Sequence, residues 1–322
     1  MKKKVILTKN YLQPAIDRLN DVFDLVVAEE SGKDLAAVVK EHADAEALIS
    51  FLSDKIDRSL MDLAPNLKII ANYAVGYNNI DVAAALEKGI FVTHTPDVLT
   101  EATADLTMAL VLAVCRRILE SDEFVRAGKF EGWGAKLMLG KELRGSVFGV
   151  VGLGRIGLAT AKRAAGFGMK VMYYSKTRKP EIEQELGFQY ARFIDVVEQA
   201  DVLSLHLPYS EDVHHLFNKD TFDLMKPNAV FINAARGALM DENYLAEKLE
   251  KGELFGAGLD VYEFEPKVTQ RLLALKNVVM APHIGSATDD TRLEMAMMTV
   301  RGVENALQGA KPDFLVPEWQ AK

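Results

Sequence analysis

The sequence predicts an α/β protein made of two doubly wound parallel-sheet domains. Three observations carry that prediction. Short apolar runs alternate with amphipathic helical stretches along most of the chain, this alternating series occurs twice, and a long alanine- and leucine-rich stretch separates the two series. A length of 322 residues exceeds what one hydrophobic core usually organises, so two cores are the natural expectation. Hydrophobic residues at 49% and charged residues at 26% give a composition that should fold throughout.

In the first series the expected strands are 5–7, 23–27, 47–49, 67–71 and 90–92, with helical patterns over 34–40 and 81–88. Residues 100–128 read as one long helix, with Thr100 as N-cap, Glu101 in the first turn and Gly128 at the stop. Because several of its faces are apolar, it is expected to be buried at a domain junction or a subunit contact. The second series places strands at 147–151, 170–174, 201–205, 229–232, 256–260 and 277–280. A helix follows over 288–308, and the last residues look short and irregular.

A formal net charge of −8 argues against a nucleic-acid partner, which requires clustered cations to neutralise phosphates. One cysteine, Cys115, excludes an internal disulfide and a cysteine-based zinc site, and no metal is expected. Lys2, Lys3 and Lys4 precede an apolar run of only Val5, Ile6 and Leu7, so the start of the chain reads as a strand rather than a signal peptide. The apolar run 108–115 falls well below the roughly 20 residues that span a bilayer, so no membrane segment is expected. The expected location is the cytoplasm.

Gly152-Leu153-Gly154-Arg155-Ile156-Gly157 follows the strand 147–151 and opens a helix over 155–167. In that order the first glycine makes the tight turn and the second lets a pyrophosphate approach the backbone. The third allows close helix packing, and the helix N-terminus attracts the anion. Without a ligand the same glycines would be a plain turn. At the end of the next strand, where a carboxylate usually holds a ribose 2′-hydroxyl, stand Ser175, Lys176, Thr177 and Arg178, followed by Lys179. A hydroxyl and cations suit a 2′-phosphate, so NADP is favoured over NAD, unless the loop is merely solvated.

Three later segments each follow a second-series strand: Asn233-Ala234-Ala235-Arg236-Gly237, Asp260-Val261-Tyr262-Glu263-Phe264-Glu265-Pro266, and Ala281-Pro282-His283-Ile284-Gly285. They can converge at the carboxyl edge of one sheet, where α/β proteins bind ligands. A fixed arginine fork suits a carboxylate, and an imidazolium can give a proton to a carbonyl oxygen as negative charge develops on it. A carboxylate beside the ring favours its charged form. Taken alone, Arg236 reads as a surface ion-pair partner, Glu265 as a loop charge and His283 as a satisfied histidine. Their ordered placement points instead to chemistry. His206, after another strand, is a weaker rival for proton donor, while His42, His94, His214 and His215 have no comparable setting.

Together these motifs resemble the D-isomer-specific 2-hydroxyacid dehydrogenase family across nearly the whole chain. Ala74-Val75-Gly76-Tyr77-Asn78-Asn79-Ile80-Asp81 and the Ser175–Arg178 loop look most like its glyoxylate and hydroxypyruvate reductase branch. The resemblance implies a flavodoxin-like substrate domain over 1–99 and 286–322, with an inserted Rossmann NAD(P)-binding domain over 100–285. It implies that Arg236 binds substrate, that Glu265 is the paired acid and that His283 is the proton donor. Val75 and Gly76 amides would hold the substrate carboxylate, with Leu52 or Ser53 nearby. Thr103, His206, Pro208, Ala234 and Asp260 would line the cofactor, Asp260 as a partner of its carboxamide.

The resemblance further implies a homodimer with the long helix and its following loop at the contact. Some members of the branch cover the substrate with a tryptophan from the neighbouring subunit, in the segment matching 136–140. Leu137 and Met138 stand there, and the closest tryptophan is Trp133, which implies a wider or differently capped pocket. The expected reaction is reduction of a small 2-keto acid. The alternatives are a D-3-phosphoglycerate or other D-2-hydroxyacid dehydrogenase, and a dinucleotide-sensing protein of the corepressor kind.

Overall fold

The computed structural model describes residues 2–320. The termini of the spans expected for the first domain, residues 1, 321 and 322, lie outside them. The chain divides into two compact units: residues up to Leu99 together with those from Ala287 onward, and Thr100–Ser286.

The first unit holds strands β1 (Lys4–Leu7), β2 (Asp24–Val27), β3 (Ala47–Ser50), β4 (Ile69–Asn72) and β5 (Phe91–Thr93), paired in the order β2-β1-β3-β4-β5. Every pairing is parallel, and the order is that of flavodoxin-like sheets. Helices cover both faces, which is why β3 and β4 are buried at every position and read as unbroken apolar runs ending in one polar residue, Ser50 or Asn72. Asp34 and Asp81 cap the following helices Leu35–Glu41 and Val82–Lys88 by accepting the amides of Ala37 and Ala84. The helix Asp289–Leu307, capped by Thr288, buries Ala296, Val300 and Val303 in one core with Val5, Leu7 and Ile49. The final residues are not wholly irregular, because Pro317–Gln320 form one more helical turn.

The second unit contains β6 (Val147–Val151), β7 (Lys170–Tyr174), β8 (Gln189–Tyr190), β9 (Val202–Leu205), β10 (Val230–Asn233), β11 (Gly256–Leu259) and β12 (Val278–Met280). They form one parallel sheet in the order β12-β11-β10-β9-β6-β7-β8. The order reverses on either side of β6, the switch point at which a doubly wound sheet opens a crevice beyond its strand ends. Its strands agree with the sequence-based expectation except that β8 was not anticipated.

The stretch expected as one helix over 100–128 is two helices, Thr100–Cys115 and Ile118–Arg126. Thr100 is the first helical residue rather than the cap. The break falls at Arg117, whose φ of 52° is left-handed. Its cause is a competing partner: the Cys115 carbonyl accepts the Lys141 amide at 2.8 Å. Arg117 closes the turn by pairing with Glu120 at 2.7 Å. The first helix buries Met108, Leu110, Val111 and Val114 within its own unit, in one core with Phe148, Val150 and Ile232, whereas the second has no buried residue.

Candidate active site

All strands of the second unit run parallel, so the turns after β6, β7, β9, β10, β11 and β12 open at one edge. Gly152, after β6, has a φ of 103°, and a Cβ there would lie 2.8 Å from the His206 backbone carbonyl. A Cβ on Gly157 would lie 2.1 Å from the Gly152 carbonyl oxygen, whereas one on Gly154 would meet nothing within 4 Å. Two glycines are therefore required by packing, and the third leaves open space beside the backbone. The helix Arg155–Gly166 starts there without a side-chain cap, and Arg155 and Gly154 are exposed while Ile156 is half-buried. An uncapped N-terminus with room beside it fits a dinucleotide pyrophosphate.

After β7, Ser175 is half-buried and Lys176, Thr177 and Arg178 are exposed. The Arg178 guanidinium already makes two bonds to Glu183, at 2.8 and 2.7 Å, and lies 5.6 Å from the Tyr190 ring centre. Lys176 lies 3.4 Å from Asp212.

His283 and Glu265 are joined at 2.9 Å through Nδ1 and Oε2, with each side chain about one-third exposed. A carboxylate can only accept, so Nδ1 carries the proton of that bond and Nε2 is the other ring nitrogen. The other Glu265 oxygen accepts the Tyr262 amide at 2.9 Å. Burial pushes the Glu265 carboxyl up, but the hydrogen bonds from His283 and Tyr262 and the charge of Arg236 outweigh it and hold the group below the usual carboxylate range. Arg236 sits deeper: burial lowers its affinity for its proton, and the charge of Glu265 opposes that. Its guanidinium donates to the Ala235 carbonyl at 2.7 Å.

The loop carrying His283 is fixed from behind. Buried Asp260 accepts the amides of Ile284 at 2.7 Å and Gly285 at 2.8 Å, and the Thr103 hydroxyl donates to the Gly285 carbonyl at 3.1 Å. Burial raises the Asp260 carboxyl against the pull of those amides and of His283. Both residues were expected along the cofactor, and the structure shows them occupied with this loop. His206 is half-buried, bonded to Ser204 at 2.9 Å, and burial lowers its pKa to about 4. It is a neutral ring at neutral pH. Pro208 is exposed and Ala234 half-buried, each just beyond a strand end.

In the first unit, Leu52 is half-buried and Ser53 exposed, and Ser53 accepts Lys9 at 2.5 Å. Val75 and Gly76 are half-buried. The Gly76 carbonyl accepts from Asn72 at 2.9 Å and the Val75 carbonyl meets His94 at 2.8 Å, while neither amide has a hydrogen-bond partner among the described residues. Asn79 bridges to the loop of Leu52 and Ser53, donating to the carbonyls of Phe51 and Asp54 at 3.0 Å each.

Several positioning residues were not anticipated. Buried Asn233 donates to the Arg236 carbonyl at 2.9 Å and accepts the Ala235 amide at 3.0 Å, a local side-chain turn that an asparagine at a strand end could have signalled. Fully buried Glu242 accepts the amides of Glu263 at 2.8 Å and Thr269 at 2.7 Å, tying down the segment that carries Glu265. No local pattern in the sequence reveals that contact.

A family profile described as the NAD binding domain of D-isomer specific 2-hydroxyacid dehydrogenases matches residues 108–285, more than half of the chain. A glyoxylate reductase of Thermococcus litoralis is 46% identical over 321 residues, covering 98% of this chain and 97% of that one. The crystal structure of an NADPH-dependent glyoxylate/hydroxypyruvate reductase from Sinorhizobium meliloti, in complex with NADP and malonate, aligns with a TM-score of 0.89 at 34% identity, covering 99% of this chain and 98% of that chain. A glyoxylate reductase from Paecilomyes thermophila aligns with a TM-score of 0.87 at 30% identity over 99% of both chains. With its glycine turn at the sheet's switch point and these matches along nearly its full length, the chain belongs to the D-isomer specific 2-hydroxyacid dehydrogenase family and is an NAD(P)-dependent oxidoreductase.

Proposed function

We propose that the chain reduces a small 2-keto acid, glyoxylate or hydroxypyruvate foremost, to the corresponding 2-hydroxy acid. The observation that carries this reading is the 2.9 Å bond between His283 and Glu265, within the electrostatic reach of Arg236. Arg236 binds the substrate carboxylate and polarises the adjacent carbonyl. The bound dinucleotide supplies the hydride. As the keto carbon accepts it, the carbonyl π pair moves to oxygen, which takes the proton from Nε2 of His283 and leaves a neutral ring. Glu265 stabilises the charged ring beforehand and holds it in orientation. The unpartnered amides of Val75 and Gly76 serve the substrate carboxylate, with Leu52 and Ser53 nearby.

The residues through Leu99 and from about 286 onward form the substrate domain in this reading, and 100–285 the cofactor domain. Gly152, Gly154, Arg155, Ile156 and Gly157 receive the pyrophosphate, and Thr103, His206, Pro208, Ala234 and Asp260 border the nicotinamide half. Ser175, Lys176, Thr177 and Arg178 favour NADPH over NADH, the phosphate replacing Glu183 as the partner of Arg178. The relatives named glyoxylate reductase support the substrate class. No helix among the described residues is long and apolar enough to cross a membrane. We place the protein in the cytoplasm as a homodimer.

Steady-state assays with glyoxylate, hydroxypyruvate, pyruvate and phenylpyruvate, each with NADPH and NADH, test this reading on wild type and His283→Ala. Turnover should be fastest with the two small oxygenated acids and NADPH. The variant should lose roughly 100- to 10,000-fold in kcat while binding the dinucleotide as before. Negligible turnover of every acid by the wild type would reduce the protein to a dinucleotide-binding module.

A further inference from the structure

His214 and His215 follow the short helical turn Glu211–Val213, and their rings stack 4.1 Å apart at an interplanar angle of 17°. His215 has a φ of 47°, in the left-handed region that histidine enters more readily than most side chains. Here the surroundings aim its Nε2 at Glu263, 2.6 Å from Oε1. The Glu263 side chain is only 9% exposed. Its other oxygen accepts the Glu242 amide at 3.3 Å, and its own amide donates to the Glu242 carboxylate at 2.8 Å. The carboxylate is therefore held in place before any ligand arrives. His214 is exposed, with the Tyr209 hydroxyl 3.4 Å from Nδ1. One ligating atom from each of His214, His215 and Glu263 lies within 4.8 Å of the other two.

We propose that His214, His215 and Glu263 form a binding site for a divalent ion of the zinc class, separate from His283. Two imidazoles and one carboxylate are the ligand set of many zinc sites that keep a fourth position for water, and imidazole nitrogen disfavours magnesium and calcium. Zinc bonds of about 2.0 to 2.2 Å set tetrahedral ligand atoms roughly 3.4 Å apart, so the His215–Glu263 pair, 2.6 Å apart, opens as the ion enters, and His214 swings out of its stack on His215 by on the order of an ångström. The exposed His214 ring can make that movement. Glu263 lies two residues before Glu265 on the same turn, so an ion drawn onto it also disturbs the partner of His283 and lowers turnover. That last consequence rests on the proposed role of Glu265, whereas ion binding does not.

Cobalt(II) titration of the full chain tests the site without reference to catalysis. The expected result is one ion per chain with the strong visible absorption of low-coordinate cobalt, bleached by stoichiometric zinc and unaffected by millimolar magnesium. His214→Ala, an exposed position whose melting temperature should match wild type, should weaken binding at least tenfold. Glu263→Gln should do the same where it folds, and His283→Ala should leave binding unchanged. Absence of a stoichiometric cobalt signal overturns the proposal, as does binding that survives in His214→Ala or disappears in His283→Ala.

Discussion

His206 and His283 both follow strands at the same sheet edge, yet their surroundings differ. His283 faces a carboxylate, whereas His206 has only a hydroxyl partner, and burial lowers its pKa from 6.5 to about 4. A histidine held neutral in the fold takes up a proton on unfolding at any pH between those two values. The unfolded state then binds more protons, so stability present above pH 6.5 is lost as pH falls towards 4. The loss attributable to this ring is about 3 kcal/mol at the acid end. Thermal melts from pH 7 to pH 4 should show a steeper decline for wild type than for His206→Gln, and parallel curves would exclude this role. Arg236, Glu265 and His283 were singled out because each lies in a short segment directly after a strand. Asn72, Asn233 and Glu242 were not singled out, because a buried polar residue at a strand end or helix start looks the same whether it braces a loop or simply satisfies itself. Asp260 and Thr103 were named by resemblance, but the bond from Thr103 to Gly285 joins elements 182 residues apart, which only the folded chain brings together.

The glycine turn after β6 separates packing from ligand binding at the level of one element. Gly157→Ala forces a methyl group to 2.1 Å from the Gly152 carbonyl, so the melting temperature should drop by several degrees. Gly154→Ala adds its methyl group to open space, so the variant should fold with an unchanged melting temperature yet bind NAD(P)H at least tenfold more weakly by fluorescence titration. Unchanged affinity in Gly154→Ala would remove the pyrophosphate from this turn. Strand positions were legible because strands buried on both faces leave continuous apolar runs. The two-residue β8 is too short to leave such a run. The break at Arg117 was hidden for a different reason. Residues 100–126 suit a helix, and the interruption comes from the Lys141 amide, which arrives at Cys115 from a distant part of the chain.

At the scale of the molecule, the segment from Ile118 to Leu139 carries an unusual share of the exposed apolar surface, including Val125 at 57%, Phe130 at 55%, Trp133 at 88% and Leu139 at 61%. Apolar groups concentrated in this way mark a protein contact. Sedimentation should give about twice the 35.6 kDa chain mass, and the double substitution Phe130→Glu, Trp133→Glu should shift the population to single chains. A wild type sedimenting as one chain would defeat the homodimer. The division into two units followed from the two alternating series in the sequence, and the long C-terminal helix Asp289–Leu307 completes the first sheet's core from the far end of the chain. That arrangement sets an order of assembly at the ribosome. The strands β1 to β5 emerge first, but their covering helix is translated roughly ten to forty seconds later at ordinary elongation rates. The whole of Thr100–Ser286 emerges in the interval and has every strand of its own sheet in hand. The part of the chain made first is therefore the last to close, and a nascent chain stalled before Ala287 presents the bare apolar faces of Val5, Ile49 and Ala71 to whatever chaperone meets it.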